Sequence, residues 1–218
     1  MLLLLTLFSS RATRAADDTT RVLRELDSAA LKFKTVIADF EWQGEQTAPF
    51  PDTETQTGTI YFKRNSSALQ VSARIRLVNN KKVPKVLSYS NGTVTLFQKM
   101  TGELKVIKAG ERQGQLESVL LLGFGSSGKD IESKWDVTFL RQEALAGVKC
   151  EVLELVPKDP EVKKNVRRVT IWLDASRDVS LKQIFDQGDG MRRICIYSNF
   201  KMNSRLPIDA FDPKADPR

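Results

Sequence analysis

The strongest constraint on what this chain can fold into is an alternation of apolar and polar side chains that restarts after each short turn. Successive side chains of a β-strand point to opposite faces, so the alternation marks strands with one dry and one wet side. It opens over Ile37–Gln46, where Ala38, Phe40 and Trp42 alternate with Asp39, Glu41 and Gln43. Thr59–Arg64, Gln70–Val78, Lys85–Ser90, Thr93–Gln98 and Leu104–Lys108 continue it, with Asn91-Gly92 and Thr101-Gly102 as turns. After an interruption it resumes at Trp135, Val137 and Phe139. It then runs through Val148–Val156, Val166–Asp174, Val179–Asp186 and Met191–Phe200. The turns in this half are Ala146-Gly147, Ala175–Asp178 and Gly188-Asp189-Gly190, while Thr47–Thr57, with two prolines, reads as a loop or long hairpin turn. Short turns join antiparallel neighbours. The expectation is a mainly β chain of about ten to eleven strands, whose dry face must close over a core, pair into a sandwich or curl around something.

Two segments break the pattern. Asp17–Thr35 carries Val22, Leu26, Ala29 and Phe33 at helical spacing, and Asp17, Asp18 or Thr19 can cap it. Leu116, Val119, Leu120, Leu121, Leu122 and Phe124 form a short apolar helix that Gly123, Gly125 and Gly128 bring to an end. These helices are the candidates to cover the open side of the sheet. Such a wrap suits an apolar cavity, with solid packing as the alternative. No repeat and no linker divides the chain. The tail, with Pro207, Pro213 and Pro217, offers Ile208 and Phe211 as anchors.

Leu2–Phe8 is an apolar run of signal-peptide length, too short to span a bilayer, and Thr13-Arg14-Ala15 precedes a plausible cleavage point. The reading is a signal peptide over residues 1–15 and a single domain over 16–218, exported and soluble. Removal of Arg11 and Arg14 with the leader takes the formal charge from +7 to +5, still basic. The basic runs Lys81-Lys82-Val83-Pro84-Lys85 and Lys163-Lys164-Asn165-Val166-Arg167-Arg168 come with no nucleic-acid-binding motif. Solvated loop charge, or attraction to an anionic surface, explains them better.

The chain has no histidine, which removes the commonest general base and zinc ligand. No metal-ligand cluster, hydrolase motif or cofactor site stands out, and the chain does not read as an enzyme. Gly123-Phe124-Gly125-Ser126-Ser127-Gly128 matches GxGxxG, but a dinucleotide loop follows a strand and opens a helix. Here an apolar helix precedes it, so it reads as a helix stop and a flexible connection. In a simple meander two strands separate those of Cys150 and Cys195. Three spacings are roughly 14 Å, and a disulfide requires Cα atoms within about 7 Å, so the cysteines are expected unpaired. In Gly58-Thr59-Ile60-Tyr61-Phe62-Lys63-Arg64 the side chains of Ile60, Phe62 and Arg64 share a face. Arg64 either marks where the strand reaches water or stands at the rim of a cavity.

The order of these pieces resembles the LolA family of periplasmic carriers of outer-membrane lipoproteins, within the LolA/LolB superfamily. The resemblance rests on the N-terminal helix ending near Phe33, the strand Ala38–Gln43, and Gly58–Arg64, similar to the family's Gly-x-Leu-x-Val-Lys-Arg-Pro. Ser90-Asn91-Gly92-Thr93, the helix Leu116–Phe124, Leu153–Lys158 and the ending Phe211-Asp212-Pro213 add to it. Asn65 replaces the motif's proline, and Ala68 the aromatic that follows. The resemblance implies a half-open antiparallel β-barrel with an N-terminal helix and a short mid-chain helix as lid over an apolar cavity. It implies that Arg64 latches the lid. It also implies that the protein receives acylated lipoproteins or lipids from an inner-membrane transporter and passes them to an outer-membrane receptor. The expected cavity residues are Phe40, Trp42, Ile60, Phe62, Val71, Ile75, Leu120, Leu121, Phe124, Val169 and Ile171. A monomer is expected, with no metal and no cofactor. A lipid- or lipoprotein-binding sensor on the same fold, as in the similar RseB-like proteins, is the alternative.

Overall fold

A computed structural model of the chain describes residues 7–47, 49–64 and 69–215, with side chains from Ala16 onward. Residues 1–6 of the expected signal peptide, the side chains of Arg11, Arg14 and Ala15, and Asn65 and Ala68 lie outside the described residues. Helix α1 spans Leu7–Ala30. Six strands follow: β1 Thr35–Gln46, β2 Asp52–Arg64, β3 Leu69–Val78, β4 Lys81–Ser90, β5 Thr93–Gln98 and β6 Glu103–Lys108. A 3-10 turn at Gly110–Arg112 leads into α2, Gln113–Leu120, and α3, Gly128–Lys134. The second half holds β7 Trp135–Leu145, β8 Val148–Pro157, α4 Pro160–Lys163, β9 Arg168–Asp174, β10 Val179–Gly188 and β11 Met191–Met202.

The eleven strands form one antiparallel sheet in the order β6-β5-β4-β3-β2-β1-β11-β10-β9-β8-β7. It is two meanders joined along one long-range seam, where β1 pairs with β11 from Val36↔Met202 to Gln46↔Met191. Four of the hairpins, two in each meander, turn on two residues. Asn79-Asn80, Asn91-Gly92, Ala146-Gly147 and Asp189-Gly190 all take positive φ at both positions, the geometry whose twist matches that of the strands it joins. The sheet does not close: β6 and β7 are free edges, and the chain crosses between them through α2 and α3. The result is the half-open, mainly β architecture expected, with both helical segments against the sheet.

Several boundaries differ from expectation. The loop expected at Thr47–Thr57 is shorter, because β2 begins at Asp52 and its polar start pairs with Gln43–Gln46. That overhang is exposed on both faces, so no apolar alternation announces it. β4 begins at Lys81, so the first basic run is strand, with the Pro84 carbonyl accepting from the Lys99 amide at 3.1 Å. The connection after the mid-chain helix is not flexible: Gly128 opens α3, which Ser127 caps by accepting from the Asp130 amide at 3.0 Å. Ile208 is fully exposed, so it is no anchor; Ala210 and Ala215 are the buried tail residues. The tail is fastened instead by Arg74, whose Nη2 lies 3.1 Å from the Asp209 carboxylate and also donates to the Asp209 carbonyl. Arg74 lies over the Tyr61 ring at 5.0 Å, and Tyr61 is buried.

Gly58 bends β2. A Cβ there would come within 2.0 Å of the Arg74 carbonyl oxygen, at a register shift between Thr57 and Gly58. The apolar interior divides in two. On the β7–β9 side, Val22, Leu23 and Leu26 of α1 and Ile131 of α3 pack with Trp135, Leu153, Leu155, Val169, Ile171 and Leu173. Each such aliphatic side chain contributes about 1.5–3 kcal/mol on burial. The other cluster gathers Phe40, Ile60, Phe62, Val71, Ala73, Phe124 and Tyr197. β8 and β11, which carry Cys150 and Cys195, are separated by β9 and β10, and both thiols are free and buried.

Candidate functional site

The second cluster does not fill its space. Between the sheet's inner face and α2 lies a cavity of about 290 Å3. Its sheet wall is Trp42 of β1, Ile60 and Phe62 of β2, Val71 and Ala73 of β3, Leu87 and Tyr89 of β4, and Val94 of β5. Gln183, Phe185 and Gln187 of β10 and Arg193, Cys195 and Tyr197 of β11 face them. Leu116, Val119 and Leu120 of α2, with Phe124, form the cover. Their spacing puts them on one helix face, the apolar stripe a lid must turn inward.

Trp42, Ile60, Phe62, Val71, Leu120 and Phe124 are thus brought together, whereas five other expected residues lie off the cavity. Phe40 and Ile75 both pair in register with Gly58, and both are buried in the same apolar cluster without lining the cavity. Leu121 falls beyond the last turn of α2, where the helical period ends. Val169 and Ile171 pair with Phe185 and Gln183, and so share their face. That stretch of the inner face is covered by α1 side chains rather than left open.

The lid is fastened on both sides. The Tyr89 hydroxyl of β4 donates to the Glu117 carboxylate of α2, and accepts from the Gly92 amide at 3.0 Å. Burial first, and then Glu117, push the Tyr89 hydroxyl up to about 12, so it remains a donor at neutral pH. On the opposite side Gln115 Nε2 donates to the Asp159 carboxylate at 2.9 Å. The helix therefore bridges the two meanders. Sequence reasoning missed both clasps, because the partners lie 28 and 44 residues apart in unremarkable polar positions.

Arg64 holds the turn behind the lid. Its Nη1 donates to the Gly125 carbonyl, and Nη2 lies 3.3 Å from the Asp130 carboxylate of α3. The side chain is 30% exposed, so the charge stays partly hydrated. Phe124 in the same turn stacks on Phe62, centroids 4.1 Å apart, and meets Tyr197 edge-on at 4.9 Å. The Ser180 amide donates to the Gly123 carbonyl at 2.8 Å, and Gln183 Nε2 donates to the Leu122 carbonyl. Gly125, at φ +77°, lies so close to the Phe33 ring that a Cβ would come within 2.6 Å. The GxGxxG segment is therefore a packed hinge with no room for a phosphate, and Arg64 fastens that hinge rather than α2 itself. Among the described residues no group of three or more cysteine, aspartate or glutamate side chains is placed to hold a metal ion.

Compared by sequence, the chain matches no family model and no curated protein. Compared by structure, it is similar to MucB, with TM-score 0.53 at 13% identity over 92% of this chain and 64% of that one. MucB has also been solved with MucA from Pseudomonas aeruginosa, a structure that aligns at TM-score 0.50 and 15% identity over 89% of this chain and 60% of that one. The chain thus spans less than two thirds of MucB. An uncharacterized conserved protein from Thermus thermophilus aligns at TM-score 0.52 and 11% identity, over 88% of this chain and 96% of that one. A LolA superfamily protein from Nitrosomonas europaea aligns at TM-score 0.43 and 13% identity, over 88% and 96%. At such identities the likeness is one of fold alone.

Proposed function

We propose that the protein is a periplasmic carrier that holds the acyl chains of lipoproteins, or of related lipids, in this cavity and shuttles them toward the outer membrane. The observation that carries the reading is an apolar cavity under a short helix fastened from both halves of the sheet. Burying an acyl chain gains about 0.8 kcal/mol per methylene. A carrier must offset that gain in order to release its cargo. The clasps at Tyr89, Gln115 and Arg64 provide the opposing term, because the ligand-free, closed state regains their hydrogen bonds. Donation by an inner-membrane transporter, delivery to an outer-membrane receptor, a monomeric state, export by a signal peptide over residues 1–15 and a non-enzymatic role belong to the same reading. No helix among the described residues is long and apolar enough to cross a membrane.

The test is native mass spectrometry of the protein recovered from a periplasmic fraction, where a co-purifying lipid or acylated protein is expected. Recovery of ligand-free protein under conditions that preserve lipid complexes would count against the carrier. A second measurement addresses Arg64. Arg64→Leu is expected to load a fluorescent acylated peptide normally but to pass it to acceptor membranes about ten-fold more slowly, from the loss of one to two charged hydrogen bonds. Unchanged release kinetics would remove Arg64 from the latch. The second reading, a lipid-responsive regulator acting through a protein partner, is supported by the likeness to MucB, which is solved in complex with MucA.

A further inference from the structure

The cavity is apolar on one side only. Along β11, Tyr197, Cys195 and Arg193 succeed one another on the inner face, from the Phe124 hinge toward the turn at Asp189-Gly190. Gln183 and Gln187 of β10 stand beside them. Arg193 is the one charged side chain among the described residues lining the cavity. It lies at the exposed end of this stripe and makes no hydrogen bond or ion pair with the described residues. Its partner in register on β1 is Gly44, so no side chain stands against the guanidinium there. The next residue in that row, Glu54 of β2, accepts instead from Gln56 Nε2 at 2.5 Å. One pleat deeper, the buried indole N–H of Trp42 makes no hydrogen bond, although it is near enough to the Tyr197 hydroxyl to oppose the effect of burial on that group. A buried donor left unmet costs about 1–3 kcal/mol. Two donors, one of them cationic, thus border a space that supplies neither with an acceptor in bonding geometry.

We propose that the cavity takes an anionic amphiphile, with its acyl chain against Ile60, Phe62, Leu120 and Phe124 and its carboxylate or phosphate head paired with Arg193. This deepens the carrier reading and rests on it. The planar guanidinium fork matches either head bidentately, which an ammonium group would not. The volume of about 290 Å3 is at the lower end for ligand pockets, so the closed arrangement takes one chain and the further chains of a lipoprotein need the lid swung outward. Head recognition at the rim also fixes the direction of entry, tail first toward the hinge.

The experiment measures binding of palmitate, 1-palmitoyl lysophosphatidate and hexadecanol to the delipidated protein by calorimetry. It uses the parent chain, Arg193→Gln and Arg193→Lys. At least one anionic amphiphile is expected to bind ten-fold or more tightly than hexadecanol, and the better of the two identifies the head. Arg193→Gln is expected to abolish that preference and leave hexadecanol unchanged, while Arg193→Lys retains part of it. Equal affinity for all three in the parent chain, or a loss in Arg193→Gln that extends equally to hexadecanol, overturns the inference while the carrier reading stands. If none of the three binds, both fall. Thermal melts of the variants separate loss of binding from loss of fold.

Discussion

Asp178 is a buried acid whose ionisation bears directly on stability. It lies in the turn between β9 and β10 at φ +52°, fully buried, and neither carboxyl oxygen is hydrogen-bonded. Burial pushes its pKa up to about 8, against the opposing pull of the Arg64 charge and the Gly125 amide. The folded protein therefore keeps a proton that the unfolded chain releases near pH 4. Because the folded value is the higher one, the stabilisation is full below about pH 4 and declines from there toward pH 8. It is spent above about pH 8. Asp130 and Asp174, whose values are lowered despite burial by bonds from Ser127 and Arg64 and from Ser176 and Arg177, act oppositely and favour folding above their range. Comparison with Asp178→Asn isolates the one group. The parent melting temperature is expected to fall by several degrees relative to Asp178→Asn between pH 5 and pH 8.5, read by circular dichroism. Parallel pH profiles for the two proteins would show that Asp178 is ionised in the fold throughout.

At the scale of elements, the lid is α2 and the hinge is the turn behind it, and the two are secured differently. The hinge is held by aromatic stacking and backbone hydrogen bonds, whereas α2 relies on a few side-chain clasps. Opening should therefore swing α2 outward, releasing the Tyr89 and Gln115 clasps and the Arg64 bond to Gly125, while Phe124 stays stacked on Phe62. Tyr89→Phe removes one clasp, worth about 1 kcal/mol. It is expected to raise amide exchange in Gln113–Leu120 about five-fold while β1 and β2 stay protected, as hydrogen-exchange mass spectrometry would reveal. Uniform acceleration across the chain would instead make Tyr89 a general stabiliser. The lid was legible in the sequence because Leu116, Val119 and Leu120 repeat at helical spacing. α3 was not: of its seven residues only Gly128 and Ile131 are buried, too little to leave a period. The polar start of β2 was hidden for the same reason, while the dry faces of β3 and β9 alternated plainly. Arg193 escaped notice because one basic residue in a strand is ordinary; only the register that sets it beside Trp42 and opposite Gly44 gives it meaning.

At the scale of the whole molecule, each meander follows from local turns, which is why the separation of Cys150 from Cys195 could be read in advance. The seam between β1 and β11 joins residues about 160 positions apart, and no turn encodes it. Without the resemblance to a known family, two separate sheets would have satisfied the same alternation. Phe40, Ile75, Val169 and Ile171 were misplaced from the same cause: alternation tells which face a side chain takes, and not whether a helix or open space lies over that face. The seam also means that β6 and β7, consecutive in the chain, sit at opposite edges and are tied by the segment 109–134. That segment is a tether of fixed contour length across the aperture. However the two halves breathe, they can part only as far as it reaches, so it gauges the girth of what enters. Lengthening it with a short Gly-Ser insertion after Ala109 should admit bulkier amphiphiles than the parent accepts, as a lipid-binding titration over a size series would record. An unchanged size limit would place the gauge in the strands instead.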